Sequence, residues 1–518
     1  MRHVVPFLCA TLLGTLDIHA QPTIAWQQHY GGSAPDRAYS IVPTTDDGFA
    51  VLAYALSADG DVACAQGQSD IWVLKLDGSG ELEWQRCLGG SGAETSGEIA
   101  QTSDGGFILV GSSSSSDGDV SENLGGSDIW LVRLSASGDL MWERSYGGGE
   151  TDVGEQVAVR SDGSYLVMGF TFSQDGDASD NHGASDFWLG HVAEGGELLQ
   201  SRCYGGTRFD HLRVMHQASD GTVVFGGVTS SNDGDVSGNP AEENQAWVVY
   251  LDNEWEITWQ SVIGGSGDDQ TYGLLLLEDN TVIAAILSDS QNADVTDPWG
   301  GSDFWVVKLG NTGNILQERS FGGSGSDNPK SLRSSNGGQT VHIVGSTTST
   351  NGLVTGHHGG PTDVWLLHLD GNLDLLWQRA LGGSGADNAN SLCMASDGGI
   401  VVGGLTSSSD GDATGTNGST DVWVVKLEPE DVGVQEAGFT IGLDLFPNPA
   451  TDQLSITWEG EARSLAVHDA QGRLVANVDH LPAGQRQHRL NVEAWSDGLY
   501  TVQLKGTGTR QVQRFAKH

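Results

Sequence analysis

The sequence predicts an all-β chain, a seven-bladed β-propeller followed by a small Ig-like β-sandwich, and three observations carry that prediction. A tryptophan recurs at Trp72, Trp130, Trp188, Trp247, Trp305, Trp365 and Trp423, with gaps of 58, 58, 59, 58, 60 and 58 residues. A Gly-Gly pair keeps the same period, starting at Gly31, Gly89, Gly147, Gly205, Gly264, Gly322 and Gly382. Each period holds four short stretches of alternating apolar and β-branched character, bounded by Gly, Asp or Ser, and none with helical spacing. A fixed period of this length is the mark of stacked supersecondary units, and four antiparallel strands per unit make a propeller blade.

In the second copy the strands are GEIAQT, GFILVGSS, DIWLVRL and DLMWERSY. Ser103-Asp104-Gly105-Gly106 turns the first strand into the second, and Ser135-Ala136-Ser137-Gly138 the third into the fourth. Glycine supplies the positive φ such turns require. An open solenoid is the competing architecture, and the ends of the array argue against it. The chain opens with Thr23 to Tyr30, a match to a fourth strand, while the last unit stops after its third strand, Asp421 to Leu427. The N-terminal strand is therefore expected to complete the last blade and close the ring, which removes the exposed sheet edges. Five further tryptophans lie on fourth strands, at Trp26, Trp84, Trp142, Trp259 and Trp377, with Gln200 and Gln317 in the two remaining places. Residues that keep the repeat point to packing between blades rather than to a ligand platform.

The chain has 518 residues and a net charge of -44, from 24 Lys+Arg against 68 Asp+Glu. Such a charge excludes nucleic acid and an anionic membrane surface as partners, and favours cations, basic proteins or uncharged ligands. Residues 1–20 read as a secretory signal, with Arg2, an apolar stretch and Ala20 before the expected cleavage. No later segment is long and apolar enough to span a bilayer. Of the five cysteines, Cys9 lies in the signal; Cys64, Cys87, Cys203 and Cys393 are expected to be free thiols.

The array is expected over 21–427, a polar linker over 428–437 and a second domain over 438–518. That last segment has eight acidic and eight basic residues, so the negative charge lies upstream. It carries Leu445-Phe446-Pro447-Asn448-Pro449, then Asp469-Ala470-Gln471-Gly472-Arg473-Leu474, then Gly498-Leu499-Tyr500, and a basic terminus from Arg514 to Lys517. In order and spacing it resembles the type A sorting domain of the bacterial type IX secretion system. The resemblance implies handling of 438–518 by that machinery, passage across the outer membrane, and release or attachment at the cell surface. Pro447, Asn448, Pro449, Gly472, Arg473, Gly498, Tyr500 and Lys517 are the motif positions. The upstream repeats are similar to uncharacterised propeller repeats of such cargo, a resemblance that brings no activity with it.

Two sets of residues are candidates for chemistry. Strand alternation places the Gly-Gly loops and the DGD loops on one face, which is expected to be strongly acidic. The DGD pairs are Asp59/Asp61, Asp117/Asp119, Asp175/Asp177, Asp233/Asp235 and Asp410/Asp412. Close carboxylates are hard-oxygen ligands of the kind Ca²⁺ takes. Aspartates that cap turns by accepting backbone N–H bonds are the plainer reading, and two copies lose the motif. The second set is the most deviant loop, Thr207 to Arg213, followed by Met215 and His216. Arg208, Asp210, His211 and His216 are its candidate catalytic residues; drift within one repeat is the alternative. No GxSxG, HExxH or Walker loop is present. The function expected is a monomeric, exported, non-catalytic surface or extracellular binding module for a protein or glycan, with a secreted carbohydrate-active enzyme as the alternative.

Overall fold

The computed structural model describes residues 21–430, except 64–66, 219, 241–242, 336–337 and 417, and residues 443–517, except 459–461, 469–472, 479–480, 483, 497 and 507–509. The expected signal peptide, Gly472 and the linker beyond Glu430 lie outside these residues. The chain divides into two compact units, Met1–Glu430 and Asp431–His518.

The first unit is built of seven four-stranded antiparallel sheets, an all-β architecture consistent with a propeller. Six sheets take consecutive strands: the first from Asp36–Pro43, Phe49–Ala55, Asp70–Leu76 and Leu82–Leu88, and so on through the sixth, which ends with Leu375–Leu381. The seventh holds Asp387–Met394, Ile400–Thr406 and Asp421–Leu427, and its fourth strand is Ile24–Tyr30. That strand pairs antiparallel with the last one, Tyr30 facing Val422 and Ile24 facing Leu427.

The burial patterns follow from strand position. Second and third strands are buried along nearly their whole length, because each sheet is covered on both faces by its neighbours. The cores lie between sheets. One apolar cluster joins the first and second sheets around Trp130 and Phe107. Others join the second and third, third and fourth, fourth and fifth, fifth and sixth, and sixth and seventh. A further cluster joins seventh to first, with Val401, Val422 and Val424 against Phe49 and Trp72.

The repeated tryptophans are the largest fully buried side chains of these interfaces. A buried indole N–H must donate to something. Trp72 donates to Gln85 Oε1 at 2.8 Å, Trp130 to Glu143 Oε2 at 2.7 Å, and Trp423 to Gln27 Oε1 at 3.0 Å. The Gln or Glu that follows the fourth-strand tryptophan in sequence thus completes the third-strand one. The fourth-strand tryptophans serve the next sheet: Trp26 donates to Gly78 O and packs where a Cβ on Gly80 (φ +85°) would collide with it.

One sequence expectation is corrected. Cys87 is disulfide-bonded, to a partner outside the described residues, while Cys203 and Cys393 are free and buried. The repeat places Cys87 and Cys203 at equivalent points and so gave no sign that only one of them is bridged. The thiols of Cys203 and Cys393 are held protonated by burial, that of Cys393 pushed up to about 12.

The second unit is two antiparallel sheets, one of three strands and one of four, around Leu454, Ile456, Leu465, Val467, Val502 and Phe515. Pro447, Asn448 and Pro449 form an exposed loop after Leu443–Phe446, and Asn448 Oδ1 accepts the N–H of Ala516 at 2.9 Å. Gly498 faces Lys517 across the last strand pair, and buried Tyr500 donates to Ser496 O at 2.8 Å. The sequence motifs thus meet around the final strand, while Arg473 is exposed at the start of another strand.

Candidate functional site

Of the carboxylates predicted for one acidic face, those that follow the Gly-Gly pairs and open the third strands are buried, and the DGD carboxylates supply its exposed charge. Asp36, Glu94, Asp152, Asp210, Asp269, Asp327 and Asp387 are all 0% exposed. They tie two loops together. Asp36 Oδ2 accepts Gly32 N at 3.0 Å and Ser57 Oγ at 2.6 Å, and Oδ1 accepts Leu56 N and Ser57 N. The third-strand aspartates Asp128, Asp186, Asp303, Asp363 and Asp421 are equally enclosed. The Gly-Gly pair belongs to the same lock, since a Cβ on Gly89 would collide with the carboxylates of Asp70 and Glu94.

The DGD aspartates are more exposed, but each first Asp is engaged. Asp59, Asp117, Asp175, Asp233 and Asp410 accept the N–H of Ser33, Ser91, Gly149, Thr207 and Ser384 at 2.6–2.8 Å. That bond holds the Asp59, Asp233 and Asp410 carboxyls below their usual range. Asp61, Asp119, Asp177 and Asp235 each accept a Gly-Gly N–H at 3.3 Å. Asp412 faces His358 at 3.4 Å and Arg379 at 3.9 Å. In the two copies lacking DGD, Asn292 and Asn351 accept the same N–H as the first Asp, at 3.0 and 2.8 Å. A neutral amide oxygen suffices for that role.

The four candidates of the deviant loop do not gather at one point. Asp210 spends its carboxylate on Gly206 N, Thr229 and Ser231. His211 stacks on Phe170 at 4.3 Å, and burial lowers its pKa to about 4. Arg208 sits on the exposed loop, and His216 lines an apolar cavity.

The site that does assemble comes from a different feature. In the first-to-second strand pairing of every sheet the register slips after the third residue, between Ala38 and Ser40 in the first sheet and Ala389 and Ser391 in the seventh. A β-bulge leaves a residue out of the ladder and re-aims its side chain. The bulged residues are Tyr39, Gly97 with Glu98, Glu155, Arg213, Tyr272, Lys330 and Asn390. All line one polar cavity of about 240 Å³, to which the first strands of all seven sheets contribute. A more apolar cavity of about 450 Å³, lined by Val157, Met215, Leu275 and Leu332, shares Glu98, Gln156 and Arg333 with it.

Two pairs of unlike charges lie in the polar cavity. Arg213 lies 3.1 Å from Glu155, and Arg333 3.8 Å from Glu98. Burial holds both carboxyls above their usual range, against the pull of those guanidinium groups. Among the described residues Lys330 has no ion-pair partner; its ammonium sits 4.1 Å from the centroid of Tyr272, whose ring Arg213 also approaches at 5.9 Å. The cavity thus holds three cations and two carboxyls. Sequence reading named the Arg213 segment but not the ring, because a bulge has no signature in an apolar pattern. The available signal was variation: behind an acidic first residue common to all seven copies, the first strands differ from one another, at this position as at its neighbours.

Residues 444–518 match the family model of the secretion system C-terminal sorting domain. That segment is a type IX sorting domain. It marks the chain as cargo of that export system, bound for the cell surface or the medium. Among the described residues no helix is long and apolar enough to cross a membrane. No curated protein matches the chain. Solved structures similar to it include a protein of unknown function from Bacteroides caccae (11% identity, TM-score 0.32, covering 58% of this chain and 94% of that one). The extracellular domain of a protein from B. thetaiotaomicron matches at 10% identity and TM-score 0.39, over 96% of this chain and 58% of that one. The Neurospora crassa Pan2 WD40 domain matches at 10% identity and TM-score 0.41, over 75% and 88%.

Proposed function

We propose that the seven sheets are the blades of a closed propeller and that the exported chain is a non-catalytic binding module, with the bulge-ring cavity as its ligand site. Closure is supported by the strand Ile24–Tyr30 completing the seventh sheet, by the apolar cluster shared between seventh and first sheets, and by Asn390 Nδ2 donating to Ala38 O at 2.8 Å. The cavity then lies on the axis. The observation that carries the binding reading is the ring itself. A repeat that holds its structural positions nearly constant departs from them where seven strands converge. Lys330 and Arg213 favour an anionic group, and Tyr39, 40% exposed, offers a face for a sugar ring. The cavity is smaller than the roughly 300–1,000 Å³ of drug-sized sites, so its occupant is a single acidic sugar or side chain rather than a large ligand.

The test is equilibrium binding of the chain from residue 21 to uronate-containing and neutral oligosaccharides, with Lys330→Ala and Arg213→Ala alongside. Loss of acidic-sugar binding in both variants supports the site; unchanged binding in both removes it. Export through 438–518 is tested separately: deletion of that segment is expected to stop the chain reaching the surface of its native host.

Glu98 and Glu155 favour a second reading. Two carboxyls kept above their usual range in one cavity are the equipment of a glycoside hydrolase, one acting as acid and the other as base or nucleophile. Release of reducing sugar by the wild type, abolished in both Glu98→Gln and Glu155→Gln, would establish it.

A further inference from the structure

At the sixth residue of the third strand, six sheets carry Lys75, Arg133, His191, Tyr250, Lys308 and Lys426, each opposite an apolar residue of the second strand: Ala50, Ile108, Leu166, Val224, Ile283 and Val401. Several of the cations reach the aspartate of the adjoining turn, as Lys75 reaches Asp46 at 3.0 Å, Arg133 reaches Asp104 at 2.6 Å and Lys426 reaches Asp397 at 2.5 Å. The sixth sheet keeps a histidine at the strand position, as the third does, but departs from the rest of this pattern. His368 stands at the strand position, His342 stands opposite it, and the turn from Ser335 to Thr340 contains no aspartate. A carboxylate arrives from elsewhere: Glu430, just past the last strand, lies 2.6 Å from His368 Nδ1.

The two imidazoles are 2% and 3% exposed and stack at 4.2 Å. Trp377 packs against His368 at 5.3 Å and donates to Glu430 Oε1 at 2.8 Å. Ser335 Oγ engages His342 Nε2 at 3.0 Å. His342 Nδ1 and both ring nitrogens of His368 are buried without a hydrogen bond, the Glu430 carboxylate standing at ion-pair distance from His368 Nδ1. Buried polar nitrogens without partners are rare and costly. One ligand atom from each of His342, His368 and Glu430 lies within 4.8 Å of the others.

We propose that His342, His368 and Glu430 form a divalent transition-metal site that fastens the chain leaving the last strand to the sixth sheet. Two imidazole nitrogens and one carboxylate oxygen match the three-ligand set of tetrahedral Zn²⁺, with water in the fourth position. They do not suit Ca²⁺, which takes six to eight oxygens. Ser335 and Trp377 are the outer partners that orient a histidine and the carboxylate. The stacked rings must turn about χ2 to aim at a common ion.

The test uses the chain from residue 21 to 518, stripped with a chelator and titrated with Zn²⁺ by calorimetry and with Co²⁺ by visible absorption. One tight site per chain and the d–d bands of tetrahedral cobalt are expected. Both should disappear in His342→Val, which installs the residue found at Val401, and in Glu430→Gln, which leaves the buried pair in place. Ser335→Ala should weaken the site by about ten-fold. Weak binding to the acidic surface is present in every variant and gives no tetrahedral cobalt spectrum. If wild type and Glu430→Gln bind alike, or the wild type shows no tetrahedral cobalt, the three residues form a hydrogen-bonded cluster and the proposal fails. Glu430→Gln also decides the matter should His342→Val not fold.

Discussion

Replacing Asp128 by Asn should make the protein more stable at pH 8 and leave it unchanged near pH 4. Asp128 opens a third strand and is 0% exposed. Its Oδ2 accepts Leu124 N at 2.6 Å, while Oδ1 has no partner. Burial, and then the neighbouring carboxylate of Asp152, push its pKa up from 3.8 to about 6. An acid whose pKa is raised by folding binds its proton more tightly in the native state, so stability rises as pH falls from above 6 toward 4. At pH 8 the ionised form therefore carries a penalty. Two units at about 1.4 kcal/mol each set its upper bound at about 3 kcal/mol. Asparagine keeps an oxygen for Leu124 N and imitates the protonated acid. The fourth sheet already uses an amide there: Gln245 donates to Gly265 O at 3.0 Å. The assay is urea unfolding in EDTA across pH 4–8, with the gain read from the midpoint at constant slope. Equal or lower stability of Asp128→Asn at pH 8 would refute the reasoning. Asp186 and Asp303, also raised to about 6 by burial, should contribute to the same trend.

Deleting Ile24–Tyr30 should strip the seventh sheet of its outer strand and leave Trp423 without its Gln27 acceptor. Loss of the cooperative transition, with association through the bared edge seen by gel filtration, is the expected result; an unaffected monomer would argue for an open array. Trp130→Ala should cost about 3–5 kcal/mol in urea unfolding, against less than about 0.5 kcal/mol for Met141→Ala, whose side chain is 57% exposed. Millimolar Ca²⁺ should leave the thermal midpoint where EDTA puts it, because the DGD carboxylates already accept backbone N–H groups. A marked rise would turn those loops into metal sites, by the linkage of any ligand that binds only the folded state.

The strands were legible because their signals are local. Period-two alternation, Asp-Gly turns and a tryptophan every 58–60 residues mark each unit without reference to any other. The acidic loops show where local reading stops. An aspartate before a strand reads as surface charge until the neighbouring Gly-Gly loop folds over it, and Asp36 then becomes a buried acceptor for Gly32, Leu56 and Ser57. The metal-like cluster was hidden by distance: His342, His368 and Glu430 come from two strands and a tail, and none forms a spaced motif.

The repeat offers its own criterion for separating structure from function. Positions where the copies agree, such as the third-strand tryptophans, the Gly-Gly pairs and the buried acids, prove to be packing and hydrogen-bond locks. Even their substitutions preserve the lock, as Asn351 does for Asp and Gln245 for the third-strand acid. The bulge position escapes that constraint because its side chain leaves the ladder and lines a cavity instead of a packed interface between sheets. It is there that Tyr39, Glu155, Arg213, Tyr272, Lys330 and Asn390 differ from one another while facing one cavity. The same logic singles out His342, which stands where six other sheets hold an apolar residue. In a protein made of seven near-copies, chemistry that serves one ligand has to be written where the copies diverge.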